Sequence, residues 1–572
     1  MKKILIPLLS LALIVCACDK DEITTVNDTT TGGGDVVDPT DTTTTASYDR
    51  TVSVVFSTSG DAVVSGTGDD QSVTISGNDV TIRNNGSEVV MYRLSGSTTD
   101  GFLKLYSGKK QGITLSNVSI TNQRGAAINI QGLESTPNKG KRADVVVEGS
   151  NALADGSTYS LTPDSEDEKA CFFSEGKLAF SGNGSLTVTA TGKAGITSDD
   201  WVSFLGGVQV SISSTAGHGV RGKEYVMVGS GLLDITVSAN AKKGISSDSL
   251  VLFSGGTTTI AVSGGAVVET TDGVKDTSTS AGIKADQLFV MQGGDLTITN
   301  SGQGGKGING DGNARFDGGT VTVTVTGSNY GSSSGGGPGG PGGPGGPGGW
   351  NNSNSKGAKA IKFDGDIVIN GGIIIASATN HEAIESKATL TINGGEVYAY
   401  SGDDAINSAS TMTINDGYVY AQSTGNDGLD ANGNLYINGG VVCAICSGQN
   451  GPEVAIDANT EKGYKLYLSG GVILTCGSLE SGSSLTQSCW QTSTWSKNTW
   501  YSMQVGDKVY AFHTPTSGGR TMVVSASSQP TLLSGVTVEG GTERCNSSIV
   551  EDAQTSGGYT VTLNTYSGNS GW

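Results

Sequence analysis

Residues 381–442 read HEAIESKATLTINGGEVYAYSGDDAINSASTMTINDGYVYAQSTGNDGLDANGNLYINGGVV. The segments His381-Glu382-Ala383-Ile384-Glu385, Asp403-Asp404-Ala405-Ile406-Asn407 and Asn426-Asp427-Gly428-Leu429-Asp430 hold equivalent places in it, and Glu453-Val454-Ala455-Ile456-Asp457 continues the series. Each is followed by a short apolar run and then a glycine pair or its equivalent. If these segments occupy the same place in successive coils of a solenoid, their acids stack in columns. Neighbouring strands lie about 4.8 Å apart, and carboxylates at that spacing repel one another unless a positive charge sits between them.

The repeat extends well beyond this stretch. The apolar anchors Ile196, Val220, Ile245, Ile283, Ile308, Ile361, Ile384, Ile406, Leu429 and Ile456 step by 24, 25, 38, 25, 53, 23, 22, 23 and 27 residues. Glycines 294, 319, 372, 395, 417 and 440 step by 25, 53, 23, 22 and 23. The 38-residue step holds an insertion around Thr270–Thr279, and the 53-residue step holds the Gly/Pro segment within 328–356. That segment reads as a surface loop, being too short for a collagen triple helix. A coil of 22–25 residues with three short strands is the arithmetic of an all-β parallel β-helix solenoid. Counting from the second glycine, Ile374, Val397, Val419, Val442 and Ile473 form one inward column, and Ala376, Ala399, Ala421, Ala444 and Thr475 a second. Asn370, Asn393, Asn415 and Asn438 form a column before the glycines, and stacked amides can hydrogen-bond up a ladder.

Composition agrees. Of 572 residues 89 are glycine and only 15% are charged. Thr, Ser, Val and Ile alternate between Gly-Gly and Asn-Gly turn signals. After Cys476 the rhythm fades, and residues 476–572, with Trp490, Trp495 and Trp500, read as a C-terminal β cap over the open end of a helix spanning 47–475. A bare parallel end would expose free edges.

The N-terminus reads as a targeting segment. Two lysines, an apolar stretch from Ile4 to Val15 and Val15-Cys16-Ala17-Cys18 make residues 1–17 a lipoprotein signal peptide, too short to span a bilayer, with Cys18 as the lipidated residue. Asp19-Lys20-Asp21-Glu22 suits delivery to the outer face of an outer membrane. Residues 18–46, rich in Thr and Asp, form a disordered stalk. Losing Lys2 and Lys3 takes the formal charge from −20 to −22. Nucleic acid is excluded as a partner, since phosphate binding needs clustered Lys and Arg. Six cysteines remain, at 171, 443, 446, 476, 489 and 545. An oxidising compartment permits disulfides, Cys476 with Cys489 among the possible pairs.

Several stretches resemble a family of secreted bacterial carbohydrate-binding proteins with a pectate-lyase-like fold. They are Tyr92-Arg93-Leu94-Ser95-Gly96, Thr99-Asp100-Gly101, ITLSNVSITNQRGAAINI from Ile113 to Ile130, Leu153-Ala154-Asp155-Gly156, LAFSGNGSLTVT from Leu178 to Thr189, the later coils, and Lys508–Val524. The resemblance covers roughly residues 50–540. It implies a right-handed β-helix that binds calcium and acidic plant polysaccharide such as pectate, and cellulose. No ligand residue is carried over from it, because acidic positions drift between such coils.

The candidate site comes from the residues themselves. Residues 381–457 hold ten acids and one lysine, Lys387. Glu382, Asp404 and Asp427 lie two residues before the anchor; Glu385, Asn407, Asp430 and Asp457 lie one after it. With Asp403 and Asn426 beside them, two or three coils supply the six to eight oxygens that Ca²⁺ takes. Magnesium prefers tighter sites that keep water, and three scattered histidines argue against zinc. Without an ion this is a solvated acidic face. Earlier coils alternate Asp199, Asp248, Asp286, Asp311 and Asp364 with Arg221, Lys284 and Lys362, either as surface ion pairs or as the flank of a groove for carboxylated sugars. Tyr398, Tyr400, Tyr418 and Tyr420 either stack on sugar rings or lie beneath the cap.

Three functions fit. One is a monomeric, lipid-anchored surface protein that binds uronate-containing polysaccharide through calcium without catalysis. The second is a polysaccharide (pectate) lyase, which needs a base such as Lys359, Lys362 or Lys387 near the ion. The third is an adhesin with a protein or cell-surface ligand.

Overall fold

The structure, a computed structural model, describes residues 47–133, 141–160, 162–163, 166–271, 274–331, 356–446 and 453–568. The signal peptide 1–17, Cys18 and the stalk 18–46 lie outside these residues. Residues Met1–Tyr48 and Asp49–Trp572 form separate units, and the strands described below all belong to the second. Among the described residues no α-helix occurs, and one short 3-10 turn spans Thr460–Lys462.

Strands recur three to a coil. The anchor strand comes first, for example Ile384–Ser386; Leu390–Ile392 follows, then the glycine pair, then Glu396–Ser401. We call the three stacks the anchor, pre-glycine and post-glycine ladders. Coil-to-coil pairing within each is parallel. All ten anchors stand in one register, Ile196 against Val220, Val220 against Ile245 and so on to Leu429 against Ile456. Neither long step breaks it. The first is an antiparallel hairpin, Val267–Thr271 with Val274–Ser278, and the second leaves and returns at an antiparallel Tyr330–Lys356 bridge. The Gly/Pro run 332–350 lies outside the described residues.

The inward columns are buried without exception, from Ile374 to Ile473 and from Ala376 to Thr475. The second column is alanine from Ala376 to Ala444, while Val323, Ile298 and Ile260 fill the same register in the preceding coils. The second glycine of each pair turns the corner left-handed, with φ of +82° at Gly372, +81° at Gly395, +97° at Gly417 and +81° at Gly440. A Cβ on Gly395 would sit 2.7 Å from the Gly372 carbonyl oxygen, so both backbone conformation and close stacking demand glycine. Beside it the amide column forms: Asn438 Nδ2 donates to Asn415 at 2.9 Å, Asn415 to Asn393 at 2.8 Å and Asn393 to Asn370 at 2.9 Å.

The coils continue past residue 475. Ile456 bridges Leu479 in parallel, and Tyr467–Leu468 pairs in parallel with Ser484–Leu485. Beyond them, Trp500–Val505, Lys508–His513, Ile549–Thr560 and Thr531–Arg544 close into a small antiparallel barrel. Its apolar side packs with Tyr420, Cys443 and Leu474 of the post-glycine ladder. Of the two readings of the tyrosines, this favours burial beneath the cap for Tyr398, Tyr418 and Tyr420. Tyr420 is 5% exposed, Tyr398 stacks on it at 5.4 Å, and both belong to the cluster beneath the barrel. Tyr418 lies under the Arg544 guanidinium at 4.8 Å. Tyr400, in register with Ser377 and Gln422, is half-buried. Outward aromatic side chains mark here where the barrel sits.

All six described cysteines are buried, and among the described residues none is joined in a disulfide. Cys476 packs in the cluster under the barrel and Cys489 in the main core, so the suggested pair is not formed.

Candidate functional site

Two neighbouring columns of the anchor ladder change sign along the stack. One residue after the anchor stand Arg221, Ser246, Lys284, Asn309 and Lys362, then Glu385, Asn407, Asp430 and Asp457, each in register with the next. Two residues before it stand Lys243, Ala281, Lys306 and Lys359 in register, followed by Glu382, Asp404 and Asp427 of the next three coils.

At the junction the charges pair. Lys359 Nζ lies 3.1 Å from Glu382 and also bonds Glu385, which Lys387 engages as well. Burial works to raise the Glu382 carboxyl, but its contact with His381 and the charge of Lys359 outweigh this and hold it at about 2. Of the expected ligands, Glu382 and Glu385 have lysine partners and are charge-paired without an ion, and Glu382 also converges with His381 and Asp403. Lys362 pairs with Asp364.

Beyond the junction, among the described residues, Asp404, Asp427, Asp430 and Asp457 have no lysine or arginine partner of that kind. Asp404 Oδ1 accepts the Asp427 N–H at 3.1 Å, and Asp427 Oδ1 accepts the Val454 N–H at 2.6 Å. Asn407 Nδ2 donates to Asp404 at 3.2 Å and also to Asp430. Burial, with the charges of Asp430 and Asp403, pushes Asp404 up to about 8. Burial and the charges of Asp430, Glu453 and Glu480 push Asp427 up to about 7. Asp430 is raised by burial, and Asp457 is raised to about 9 by burial and its hydrogen bond with Glu480. Such a cluster at neutral pH either shares protons or holds a cation. Asn426 is half-buried, and its N–H donates to the Ser423 hydroxyl.

The donor set suits calcium chemically: every member of the Asp404, Asn407, Asp427, Asp430, Asp457 group offers oxygen, carboxylate or amide. Among the described residues, three ligand atoms from His, Cys, Asp or Glu converge within 4.8 Å at His381, Glu382 and Asp403. There His381 Nδ1 lies 3.3 Å from Asp403 and contacts Glu382.

Glu480 escaped the sequence reading, although Leu479 lies 23 residues after Ile456 and so repeats the anchor spacing. Lys306 escaped it too. It is 7% exposed and donates to the Gly304 carbonyl at 3.3 Å and to that of Gly357. Burial and the charges of Lys359 and Lys362 bring it down to about 7.

Residues 76–248 and 235–331 match a family model described as "Carbohydrate-binding domain-containing protein". A protein of that description from Acetivibrio thermocellus is 31% identical over 121 residues, which is 20% of this chain. The chain spans 40% of that relative's length. A solved polysaccharide lyase-like protein from C. thermocellum, as a gadolinium derivative, aligns over 46% of this chain and 96% of its own, at 21% identity and a TM-score of 0.37.

Proposed function

We propose that the chain is a non-catalytic, lipid-anchored polysaccharide-binding protein of the outer-membrane surface. In this reading the coils wind right-handed, as parallel crossovers do, and the acidic end of the anchor ladder holds calcium against uronate carboxylates. The carbohydrate-binding match over residues 76–248 and 235–331 supports a glycan as the partner. The observation that carries the site is the change of sign along the two columns. Lys306, Lys359 and Lys362 lie a few coils from Asp404, Asp427, Asp430 and Asp457. Bound calcium would supply the positive charge that lets these buried and half-buried carboxyls ionise and bridges them to a sugar acid. Asp404, Asp427, Asp430 and Asp457 would hold it, with Asn407 as a neutral donor; the lysines would meet further uronates of the same chain.

A lyase needs a base beside the sugar's acidic C–H. Lys306, brought down to about 7, has suitable basicity but spends its ammonium on two backbone carbonyls. The test is calorimetric titration of the full chain with calcium and then polygalacturonate, alongside the Asp404→Ala/Asp427→Ala variant. The reading expects calcium-dependent retention of polygalacturonate, no unsaturated ends, and loss of both calcium and glycan binding in the variant. Unsaturated ends would make the protein a lyase. No glycan binding with or without calcium would favour an adhesin.

A further inference from the structure

The turn that leads into each anchor strand carries a column of its own. His381, Asp403, Asn426 and Glu453 each lie three residues before their anchors. The register that sets Ile384 against Ile406 therefore brings Asp403 beside His381. His381 Nδ1 lies 3.3 Å from Asp403 Oδ2 and contacts Glu382 Oε2. One ligand atom from each of the three residues falls within 4.8 Å of the other two.

Two of these atoms are orphans. His381 Nδ1 and Glu382 Oε2 are both sealed from solvent, and neither has a hydrogen-bond partner among the described residues. Glu382 as a whole is 7% exposed. The nitrogen and the oxygen touch without the alignment of a hydrogen bond. A proton shared between them would need that alignment; a cation held jointly with Asp403 does not. Lys359 Nζ, 3.1 Å from Glu382 Oε2, pairs with it by charge while its hydrogen bond goes to Glu385. Lys359 and Lys387 meet three carboxylates here, Glu382, Glu385 and Asp403. With His381 neutral, one negative charge stays uncompensated. The Cδ2–Nε2 edge of the imidazole packs against Gly357, where a Cβ would collide with it. That seat leaves Nδ1 on the side of the acids.

The donor set differs from that of the neighbouring Asp404 cluster. One imidazole and two carboxylates are too few, and too rich in nitrogen, for an ion that takes six to eight oxygens. They suit a first-row divalent ion. Zinc bonds N and O at about 2.0–2.1 Å in a tetrahedron, which sets its ligand atoms about 3.3–3.4 Å apart. The Nδ1–Oδ2 separation of 3.3 Å matches. Histidines scattered along the sequence rule out a cage of histidines, but not a set with one histidine between two acids.

We propose that His381, Glu382 and Asp403 form a zinc site distinct from the acidic cluster. Its fourth position faces solvent, since His381 and Asp403 are only half-buried, and takes water or an anionic oxygen. The site needs neither calcium nor a glycan.

The experiment strips the full chain with a chelator, returns it to excess calcium, and titrates it with zinc against a chromogenic zinc chelator. One zinc per chain should bind despite the calcium. His381→Gln should weaken zinc roughly tenfold or more and leave calcium-dependent polygalacturonate retention unchanged. Asp403→Asn, at a half-buried turn, gives the same loss of zinc should His381→Gln misfold. Asp404→Ala/Asp427→Ala should lose calcium and keep zinc. Cobalt(II) in place of zinc should give the visible absorption of a tetrahedral site in wild type and not in His381→Gln. No bound zinc, zinc displaced one-for-one by calcium, or equal zinc affinity in wild type and His381→Gln would overturn the proposal. Calcium binding that persists without zinc binding would overturn this site alone and leave the proposed function standing.

Discussion

Asp427→Asn separates charge from hydrogen bonding within the acidic cluster. The side chain is 8% exposed, and its Oδ1 accepts the Val454 N–H at 2.6 Å. Asparagine keeps that acceptor and discards the charge. In the folded chain burial, with Asp430, Glu453 and Glu480, raises the carboxyl from 3.8 to about 7. A raised acid contributes most to stability below its unfolded pKa and loses that contribution as pH climbs through the folded one. About three pKa units correspond to on the order of 4 kcal/mol, and relaxation of the ionised side chain toward water reduces this to about 2–4 kcal/mol. Without calcium, the variant should therefore be more stable than wild type by about 2–4 kcal/mol near pH 8, and equally stable near about pH 4. Urea denaturation in the presence of a chelator, followed by tryptophan fluorescence, measures the gap at each pH. Added calcium should reverse its sign, because wild type then gains the ion's binding energy and the variant lacks one ligand. A gap independent of pH, or none, would refute the claim that ionised Asp427 is destabilising in the empty cluster.

Three further substitutions probe other parts of the molecule. Lys359→Met leaves Glu382 and Glu385 buried without a lysine between them and should lower unfolding stability by about 3–5 kcal/mol, read in the same denaturation experiment. Arg544 donates to Glu396 at 2.8 Å and Glu551 at 3.1 Å. Its replacement by Ala should cost about 1–2 kcal/mol and speed amide exchange in Trp500–Val505 more than in the coils. Gly395→Ala forces a Cβ onto a carbonyl oxygen 2.7 Å away and should cost more than about 1–2 kcal/mol, seen as a lower urea midpoint.

The coil stack was legible because its signals are local and repeated. Anchor spacing, inward apolar columns and the glycine corner each reflect a constraint that successive coils meet again, so Ile384, Ala399 and Gly395 could be placed from spacing alone. The amide column was legible for the same reason. The site was legible only in part. Spacing put Glu382 and Glu385 among the acids, but not Lys359 between them, because that lysine belongs to the preceding coil, whose charges are of mixed sign. Glu480 was lost when the glycine rhythm faded, although its anchor Leu479 kept step. The tyrosines left two readings open, sugar platform or burial beneath the cap, for a different reason. An outward position on a strand has no fixed environment until the barrel, folded from residues some 100 positions later, covers it.

Cation capture by the stacked carboxyls is the central claim. A crystal soaked in a lanthanide salt, a heavy stand-in for calcium, reports this directly through anomalous scattering. The account predicts a peak bounded by Asp404, Asp427 and Asp430, absent in Asp404→Ala/Asp427→Ala. A wild-type map with no density there, or with its peak at His381, Glu382 and Asp403 instead, would contradict it.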